Sequence, residues 1–232
     1  MLWLARLNAA GIVREIASDR LRGATELAER ALDALALERG VAEKLLRLRP
    51  GMPLIGEAVR RALKVGVPAA RRQLRAGLPR ILKHAVDLLP PGGRYVVFGA
   101  SGTVEAVLRA VKATRVKTFP ADVALVGADA IYTNGDFVNA RGTADFVRKA
   151  REARCGVFAV ASEIKRIPAE IPLEKGFERV PGKLIHALLT EKGLTYPPLM
   201  AVAGVDPTWL DRGALDGKGG LGRCHPHHPG RG

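Results

Sequence analysis

The chain has 232 residues, of which 47% are hydrophobic, 26% charged and 5% aromatic, and its formal net charge at pH 7 is +14. This length supports one large domain or two small ones, with a core that needs no disulfide or metal. No apolar run reaches the ~18 residues of a membrane span, the start does not read as a signal peptide, and the two cysteines are too far apart in sequence to suggest a disulfide framework. We therefore expect a cytoplasmic protein that does not contact the membrane.

The positive charge has three interpretations: binding of a nucleic acid, binding of an acidic partner or phosphorylated ligand, or an arginine-rich proteome with no functional meaning. The few aromatic residues do not alternate with the basic clusters, which argues against a stacking platform for single-stranded nucleic acid. The group Arg71, Arg72 and Arg75 is typical of a solvated helix face. Charge alone leaves the partner open.

Residues 9–84 follow a helical pattern in four runs. One break falls at Arg49, which precedes Pro50. Because proline disfavours helix for the residue before it, we expect Arg49 to be extended, with its guanidinium directed at another contact.

Residues 89–93, Leu-Pro-Pro-Gly-Gly, mark a change from helical to strand patterning and predict a domain boundary. A strand is predicted at 94–98, followed by a helix that starts at small residues including Ser101, Gly102 and Thr103. The free N–H groups of such a helix start can bind an anion. The spacing matches neither the G-x-G-x-x-G of a dinucleotide site nor the lysine of a P-loop, so we expect no cofactor.

The link that follows this helix is unusually short. Residues 115–119 predict a strand, yet two residues separate them from the next strand pattern, which begins at Asp122. Neighbouring parallel strands need a crossover of about a dozen residues. Residues 115–119 are therefore an edge piece or a loop, or a helical crossover has been lost between Val111 and Asp122, and the sheet domain is shortened.

An apolar run at 123–126 predicts a buried parallel strand, and four polar side chains follow it: Asp129, Asn134, Asp136 and Asn139. The simplest interpretation of Asn134-Gly135-Asp136 is a tight turn. Asp129, directly after the strand, favours a bound ligand, because ligands of parallel sheets bind at the carboxyl ends of the strands. Both interpretations remain open at this point.

The C-terminal half continues the alternation of helix and strand. Residues 144–154 predict a helix and 156–161 a buried strand, whereas 164–180 is loop-like and 181–189 predicts a short helix. Cys155, with no histidine near it in sequence, is predicted to pack in the core and not to act as a nucleophile.

Together these patterns predict an α/β protein with an N-terminal helical domain at 1–90, a mainly parallel sheet domain at 91–211, and a disordered tail at 212–232. The tail contains four side chains of metal-ligating type: Cys224, His225, His227 and His228. Its proline- and glycine-rich composition favours disorder, and we predict no metal site.

Several short motifs occur together in a fixed order. They are Arg22-Gly23-Ala24, Arg49-Pro50, Ser101-Gly102-Thr103, Gly127-Ala128-Asp129, Asn134-Gly135-Asp136 with Asn139, Gly142-Thr143, and Thr190-Glu191-Lys192-Gly193. This order resembles the family that joins the alpha, beta and delta subunits of eukaryotic translation initiation factor 2B to the methylthioribose 1-phosphate and ribose 1,5-bisphosphate isomerases. The resemblance extends over residues 12–198.

The resemblance implies a helical domain resting on a Rossmann-like domain, with a ligand held between them. In the isomerases, the arginines matching Arg22 and Arg49 hold the substrate phosphate, and the aspartate matching Asp129 does acid/base work while C1 and C2 of the sugar exchange oxidation state.

The sequence departs from the isomerase pattern at two side chains. Gly99 stands at the position of the catalytic cysteine, and Ala140 stands at the position of a lysine. The initiation factor subunits also lack the cysteine, yet they keep the cleft and use it to sense phosphorylated sugars or nucleotides.

We therefore expect an initiation factor 2B-like protein that binds a phosphorylated sugar or nucleotide in the interdomain cleft and acts by association, as a homodimer or larger homo-oligomer. The expected ligand-binding residues are Arg22, Arg49, Ser101, Gly102, Thr103 and Asn139, and the catalytic candidate is Asp129. The alternatives are an aldose–ketose isomerase that uses Asp129, and a translation accessory protein that contacts RNA or an initiation factor.

Overall fold

The computed structural model describes residues 8–196. The α/β fold predicted from the sequence, with helices before a mainly parallel sheet, is confirmed. The tail with Cys224 and its neighbouring histidines lies outside the described residues. No helix within 8–196 is long and apolar enough to cross a membrane.

Six α-helices lie within residues 9–88, where the sequence predicted four helical runs, and two more follow within the described residues. They are α1 (Ala9–Ser18), α2 (Ala24–Leu37), α3 (Ala42–Arg47), α4 (Pro53–Val65), α5 (Val67–Arg75), α6 (Leu78–Leu88), α7 (Gly102–Ala110) and α8 (Thr143–Glu152). Helices α1 to α5 share one apolar core, in which Leu27, Leu32 and Ile55 are fully buried. These residues recur at helical spacing, which aligns them on one face of each helix.

The basic residues of α5 connect two helices. Arg71 donates to Glu29 at 2.7 Å and to Asp33 at 2.8 Å, and Arg75 donates to Glu29 at 2.6 Å. Arg72 is exposed, as a solvated face requires. The predicted basic face is therefore partly an ion-pair network between α5 and α2.

The strands form two sheets. They are β1 (Arg94–Phe98), β2 (Thr114–Arg115), β3 (Val123–Gly127), β4 (Ala130–Tyr132), β5 (Phe137–Ala140), β6 (Gly156–Val160), β7 (Arg166–Ile167), β8 (Phe177–Val180), β9 (Ala187–Thr190) and β10 (Gly193–Thr195). The larger sheet has the order β10-β9-β6-β3-β1-β2 and is parallel except for β10. Helices α6 and α7 pack on one face of it and α8 on the other. Helix α6 thus rests on the sheet, although it precedes the break at 89–93.

The short link after α7 is explained by the position of β2. This strand has only two residues and pairs with the first two residues of β1, at the edge of the sheet. The chain then turns back at the same end of the sheet, where Asp122 accepts a hydrogen bond from the Arg94 N–H at 2.7 Å. Val116 and Phe119 pack on the face that α8 covers. The interpretation of this segment as an edge piece is correct. Loop residues, and not a crossover helix, cover the α8 face of the sheet beside β1.

A second sheet, of order β7-β4-β5-β8, was not predicted. Its β4–β5 hairpin turns at Asn134, whose side-chain oxygen accepts from the Asp136 N–H at 3.0 Å. The Asp136 carboxylate accepts from Arg179 and from the Gly182 N–H, each at 2.8 Å. The turn interpretation of Asn134-Gly135-Asp136 is therefore correct.

Two secondary-structure predictions were wrong in the C-terminal half. The loop predicted at 164–180 contains β7 and β8, which are too short to show a period. The helix predicted at 181–189 is a single 3-10 turn, Gly182–Leu184, followed by β9. A short apolar run such as this one is compatible with either a helix or a strand. It forms a strand here because β9 pairs with β6 and β10 and is buried along its length.

The close approach at Gly182 gives a test of this packing. A Cβ atom on Gly182 would lie 2.5 Å from the Gly135 carbonyl oxygen. Gly182→Ala should therefore lower the free energy of unfolding by about 1–3 kcal/mol, measured by urea denaturation. The control, Gly40→Ala, meets only a flexible glutamate side chain and should change it by less than about 0.5 kcal/mol. Equal effects of the two substitutions would contradict the described packing.

Candidate functional site

Asp129 joins the sheet to the helical segment. It follows β3, and its carboxylate accepts a hydrogen bond from the N–H of Ala24, the first residue of α2, at 3.2 Å. Its own N–H donates to the Val138 carbonyl at 2.8 Å, and the residue is 7% exposed. A carboxylate at a helix N-terminus is stabilised by the free N–H groups and by the helix dipole. The carboxyl end of β3 therefore faces the start of α2.

Lys165 is a residue of this site that the sequence reasoning missed. It is buried, and its ammonium donates to the carbonyl of Ala128, the residue before Asp129, at 2.6 Å. Burial raises the pKa of the Asp129 carboxyl, while Lys165, the Ala24 N–H and Arg49 oppose that rise. Burial lowers the pKa of Lys165, and Asp129 opposes that shift in turn. The two groups form a buried pair of opposite charge at the ends of β3 and β6.

The turn that carries Lys165 is held by Glu191. Its carboxylate accepts from the Ser162 hydroxyl at 3.0 Å and from the Glu163 N–H at 2.8 Å. Arg166 and Lys192 lower the pKa of Glu163 to about 2. The Thr190-Glu191-Lys192-Gly193 motif thus anchors the Lys165 turn and contributes to the site indirectly.

Arg49 lies at the break between α3 and α4 and is 5% exposed. Its Nε donates to Glu174 at 2.7 Å, and its Nη1 donates to the Asp19 carbonyl at 2.6 Å and the Ile16 carbonyl at 3.3 Å. Its Nη2 is buried and has no hydrogen-bond partner among the described residues. The backbone φ is +54°, so the expected extended conformation is wrong and Arg49 is in the left-handed region.

Arg22 is directed at carboxylates of the helical segment. It forms ion pairs with Glu15, with Asp19 at 3.5 Å and with Glu26 at 3.3 Å, and its side chain is 33% exposed. The hydrogen bond to Glu15 raises the pKa of Arg22. Arg22 lies two residues before Ala24 and so belongs to the loop that reaches Asp129, although its guanidinium contacts these acids.

The loop after β1 lies beside the same junction. Ser101 begins α7, and its hydroxyl accepts from the Val104 N–H at 3.4 Å. A Cβ on Gly127 would lie 2.9 Å from the Ser101 Cβ, and one on Gly23 would lie 3.4 Å from the Ala100 carbonyl. The starts of α2 and α7 therefore approach each other at the ends of β1 and β3.

The glycines of this loop face open space. A Cβ on Gly99 or on Gly102 would meet nothing within 4 Å. The φ of Gly99 is +79°, a value that favours glycine. Thr103, the third residue of the predicted helix start, is half-buried.

Asn139 makes an internal contact. Its amide donates to the Thr143 hydroxyl at 3.1 Å, and that hydroxyl donates to the Ala140 carbonyl at 2.6 Å. Asn139 thus links β5 to the start of α8. Within residues 8–196, no group of three or more His, Cys, Asp or Glu side chains is arranged to hold a metal ion.

Known proteins share both sequence and fold with this chain. The profile of the initiation factor 2 subunit family matches residues 107–177. Methylthioribose-1-phosphate isomerase 2 of Pseudothermotoga lettingae is 33% identical over 44% of this chain and 35% of its own length. Methylthioribose-1-phosphate isomerase of Acetivibrio thermocellus is 32% identical over 33% of this chain and 31% of its own length. The matched part thus spans about a third of these curated relatives.

Three solved structures share the fold. The translation initiation factor eIF-2B of Pyrococcus horikoshii OT3 has a TM-score of 0.70 at 20% identity, covering 82% of this chain and 97% of its own. The tetrameric eIF2B-beta2-delta2 complex from C. thermophilum has a TM-score of 0.64 at 17% identity, covering 81% and 90%. The 5-methylthioribose 1-phosphate isomerase from P. horikoshii OT3 has a TM-score of 0.57 at 17% identity, covering 82% and 85%.

These neighbours define the class of protein: an α/β fold of the initiation factor 2B type, with a helical segment on a mainly parallel sheet. Together with the profile match over residues 107–177 and the isomerase relatives, they confirm the predicted resemblance to the initiation factor 2 subunit family.

The Asp129–Lys165 pair can be tested without a ligand. Lys165→Met removes the ammonium that opposes the burial effect on Asp129, so the Asp129 pKa should rise further in a carboxyl ¹³C NMR titration. Lys192→Met is the matched control, since Lys192 is exposed and pairs with Glu163. The same Asp129 pKa in the wild type and in both variants would contradict the described coupling.

Proposed function

We propose that this chain binds a phosphorylated sugar or nucleotide at the junction between α2 and the ends of β1 and β3, and that it acts through association. The observation that supports binding most directly is the Nη2 of Arg49, which is buried and has no hydrogen-bond partner within residues 8–196. A buried N–H group without a partner costs free energy, and an anionic oxygen would remove that cost.

The helix starts beside Asp129 suit a phosphoryl group. The starts of α2 and α7 meet near Gly23 and Ala100, and helix starts present free N–H groups and positive dipole ends. Gly99 and Gly102 leave open space beside them. The sugar or nucleoside of the ligand would occupy this space, and Asp129 would accept one of its hydroxyl groups.

Association is supported by the fold neighbours, one of which is a tetrameric eIF2B complex. We propose that this chain forms a homodimer or a larger homo-oligomer, or binds an initiation factor, and that ligand binding at the junction alters this association. The described part holds the helical segment and the sheet together through Asp129 and Arg49, so a ligand there would act on both.

Calorimetry with ribose 5-phosphate, ribose 1-phosphate and AMP tests the binding proposal. We expect heat with at least one of these ligands, and Arg49→Ala should weaken that binding by about 10- to 100-fold, the effect of losing a charge-assisted hydrogen bond. The control is Arg47→Ala, because Arg47 lies two residues away, is 80% exposed and pairs with Glu43. Absence of heat with all three ligands, in the wild type and in the Arg49 variant, would remove the proposal.

A second candidate function is an aldose–ketose isomerase. The observation that favours it is the buried position of the Asp129 carboxyl group after β3, because burial raises the pKa of that group, as the role of a general acid requires. Two of the relatives are methylthioribose-1-phosphate isomerases. Gly99 supplies no thiol, so the carboxyl group would have to act with water or with another side chain.

Turnover assays with methylthioribose 1-phosphate and ribose 1,5-bisphosphate separate the two functions. If the chain is an isomerase, Asp129→Asn should abolish turnover, because it removes the acid/base group. Asp145→Asn is the control, since Asp145 is an exposed residue of α8 that pairs with Arg148. Complete inactivity of the wild type would exclude isomerisation of these two substrates.

A further inference from the structure

A ligand anion that binds the Nε–Nη2 edge of Arg49 would meet a carboxylate of the same chain, which already accepts from Nε. Glu174 accepts from the Arg49 Nε at 2.7 Å with one oxygen and from the Gly51 N–H at 3.1 Å with the other. A guanidinium edge and a backbone N–H that share one anion are the elements of a phosphate or carboxylate site. Glu174 therefore stands where an external anion would bind.

The charges around Arg49 are balanced. Arg49 and Lys165 supply two positive charges, while Glu174 and Asp129 supply two carboxylates. Arg49, Lys165 and Glu174 all lie close enough to Asp129 to affect its ionisation. Asp19, whose carbonyl accepts from Arg49, adds a further carboxylate, which Arg22 contacts. A phosphomonoester dianion placed beside Glu174 in this buried setting would be strongly repelled. The ligand and Glu174 therefore compete for Arg49.

The segment that carries Glu174 can leave its position at little cost to the core. Residues 168–176 connect β7 to β8 without helix or strand. Leu173 is 46% exposed, Lys175 is exposed, and Gly176 has φ +97° with nothing near its Cβ position. The main apolar attachment is Ile171, which packs beside the second sheet. Glu174 supplies the polar attachment to the helical segment.

We propose that Glu174 is the specificity-determining residue of this site: a tethered carboxylate that a phosphomonoester must displace from Arg49. The inference rests on the proposed binding of a phosphorylated ligand. The loop would then select phosphomonoesters over carboxylates. A dianionic phosphoryl group has three oxygens and can displace the Glu174 carboxylate from Arg49 and Gly51, whereas a carboxylate ligand has no advantage over Glu174.

The decisive variant is Glu174→Gln, which keeps an oxygen for the Gly51 N–H and removes the competing charge. We expect it to bind ribose 5-phosphate or AMP at least about tenfold more tightly than the wild type, and to gain measurable affinity for citrate. Glu170→Gln is the matched control, since Glu170 lies on the same loop but pairs with Arg179, and it should stay within about twofold of the wild type. Structural damage would not tighten binding.

Proteolysis of the wild type tests the same proposal without a variant, and so does not depend on whether Glu174→Gln folds. Saturating ligand should increase the rate of trypsin cleavage after Lys175 by about fivefold or more, because the loop has left Arg49. Wild-type binding with unchanged cleavage, or with equal affinity in Glu174→Gln, would overturn the role of Glu174 and leave the proposed function standing. Binding by Glu174→Gln alone would overturn the proposed function, because the wild-type chain would then not bind the ligand. No binding by either protein would overturn the proposed function and this inference together.

Discussion

The burial of opposite charges where the helical segment meets the sheet is the constraint on which the site depends. Asp129 accepts from the first N–H of α2, Lys165 holds the peptide before it, and Arg49 shares Glu174 with the Gly51 N–H. Each charge would be costly in this position alone, and each has a partner that reduces the cost. The junction is therefore specified by polar contacts, while the two apolar cores on either side supply most of the stability.

The same constraint changes how the family likeness applies to this chain. The resemblance implied that Arg22 and Arg49 hold phosphate, yet both guanidinium groups contact carboxylates here. Only the Nη2 of Arg49 is left as a buried donor without a partner among the described residues. Under the proposed function, a phosphorylated ligand would therefore compete with these carboxylates for Arg49.

Much of this architecture follows from local sequence. The apolar runs of β1 and β3, the small residues before α7 and the acid after β3 could be predicted, because each is a short-range pattern with one physical solution. The second sheet and β9 could not, because their strands are short and pairing partners lie far away in sequence. Lys165 is a similar case. Lys165 lies in the turn that follows the buried strand β6, but its partner Ala128 lies 37 residues earlier in the sequence. The internal roles of Asn139 and Asp136 likewise depend on contacts that sequence spacing does not reveal.

The central claim is that an anionic ligand binds between α2 and the sheet, with Arg49 as its main cationic contact. A crystal structure of the chain with ribose 5-phosphate or AMP tests it most directly. The account predicts phosphoryl oxygens within hydrogen-bond distance, about 2.7–3.2 Å, of the Arg49 guanidinium, with the Glu174 carboxylate moved away from it. A phosphoryl group bound elsewhere, with the contact between Arg49 and Glu174 intact, would contradict the account.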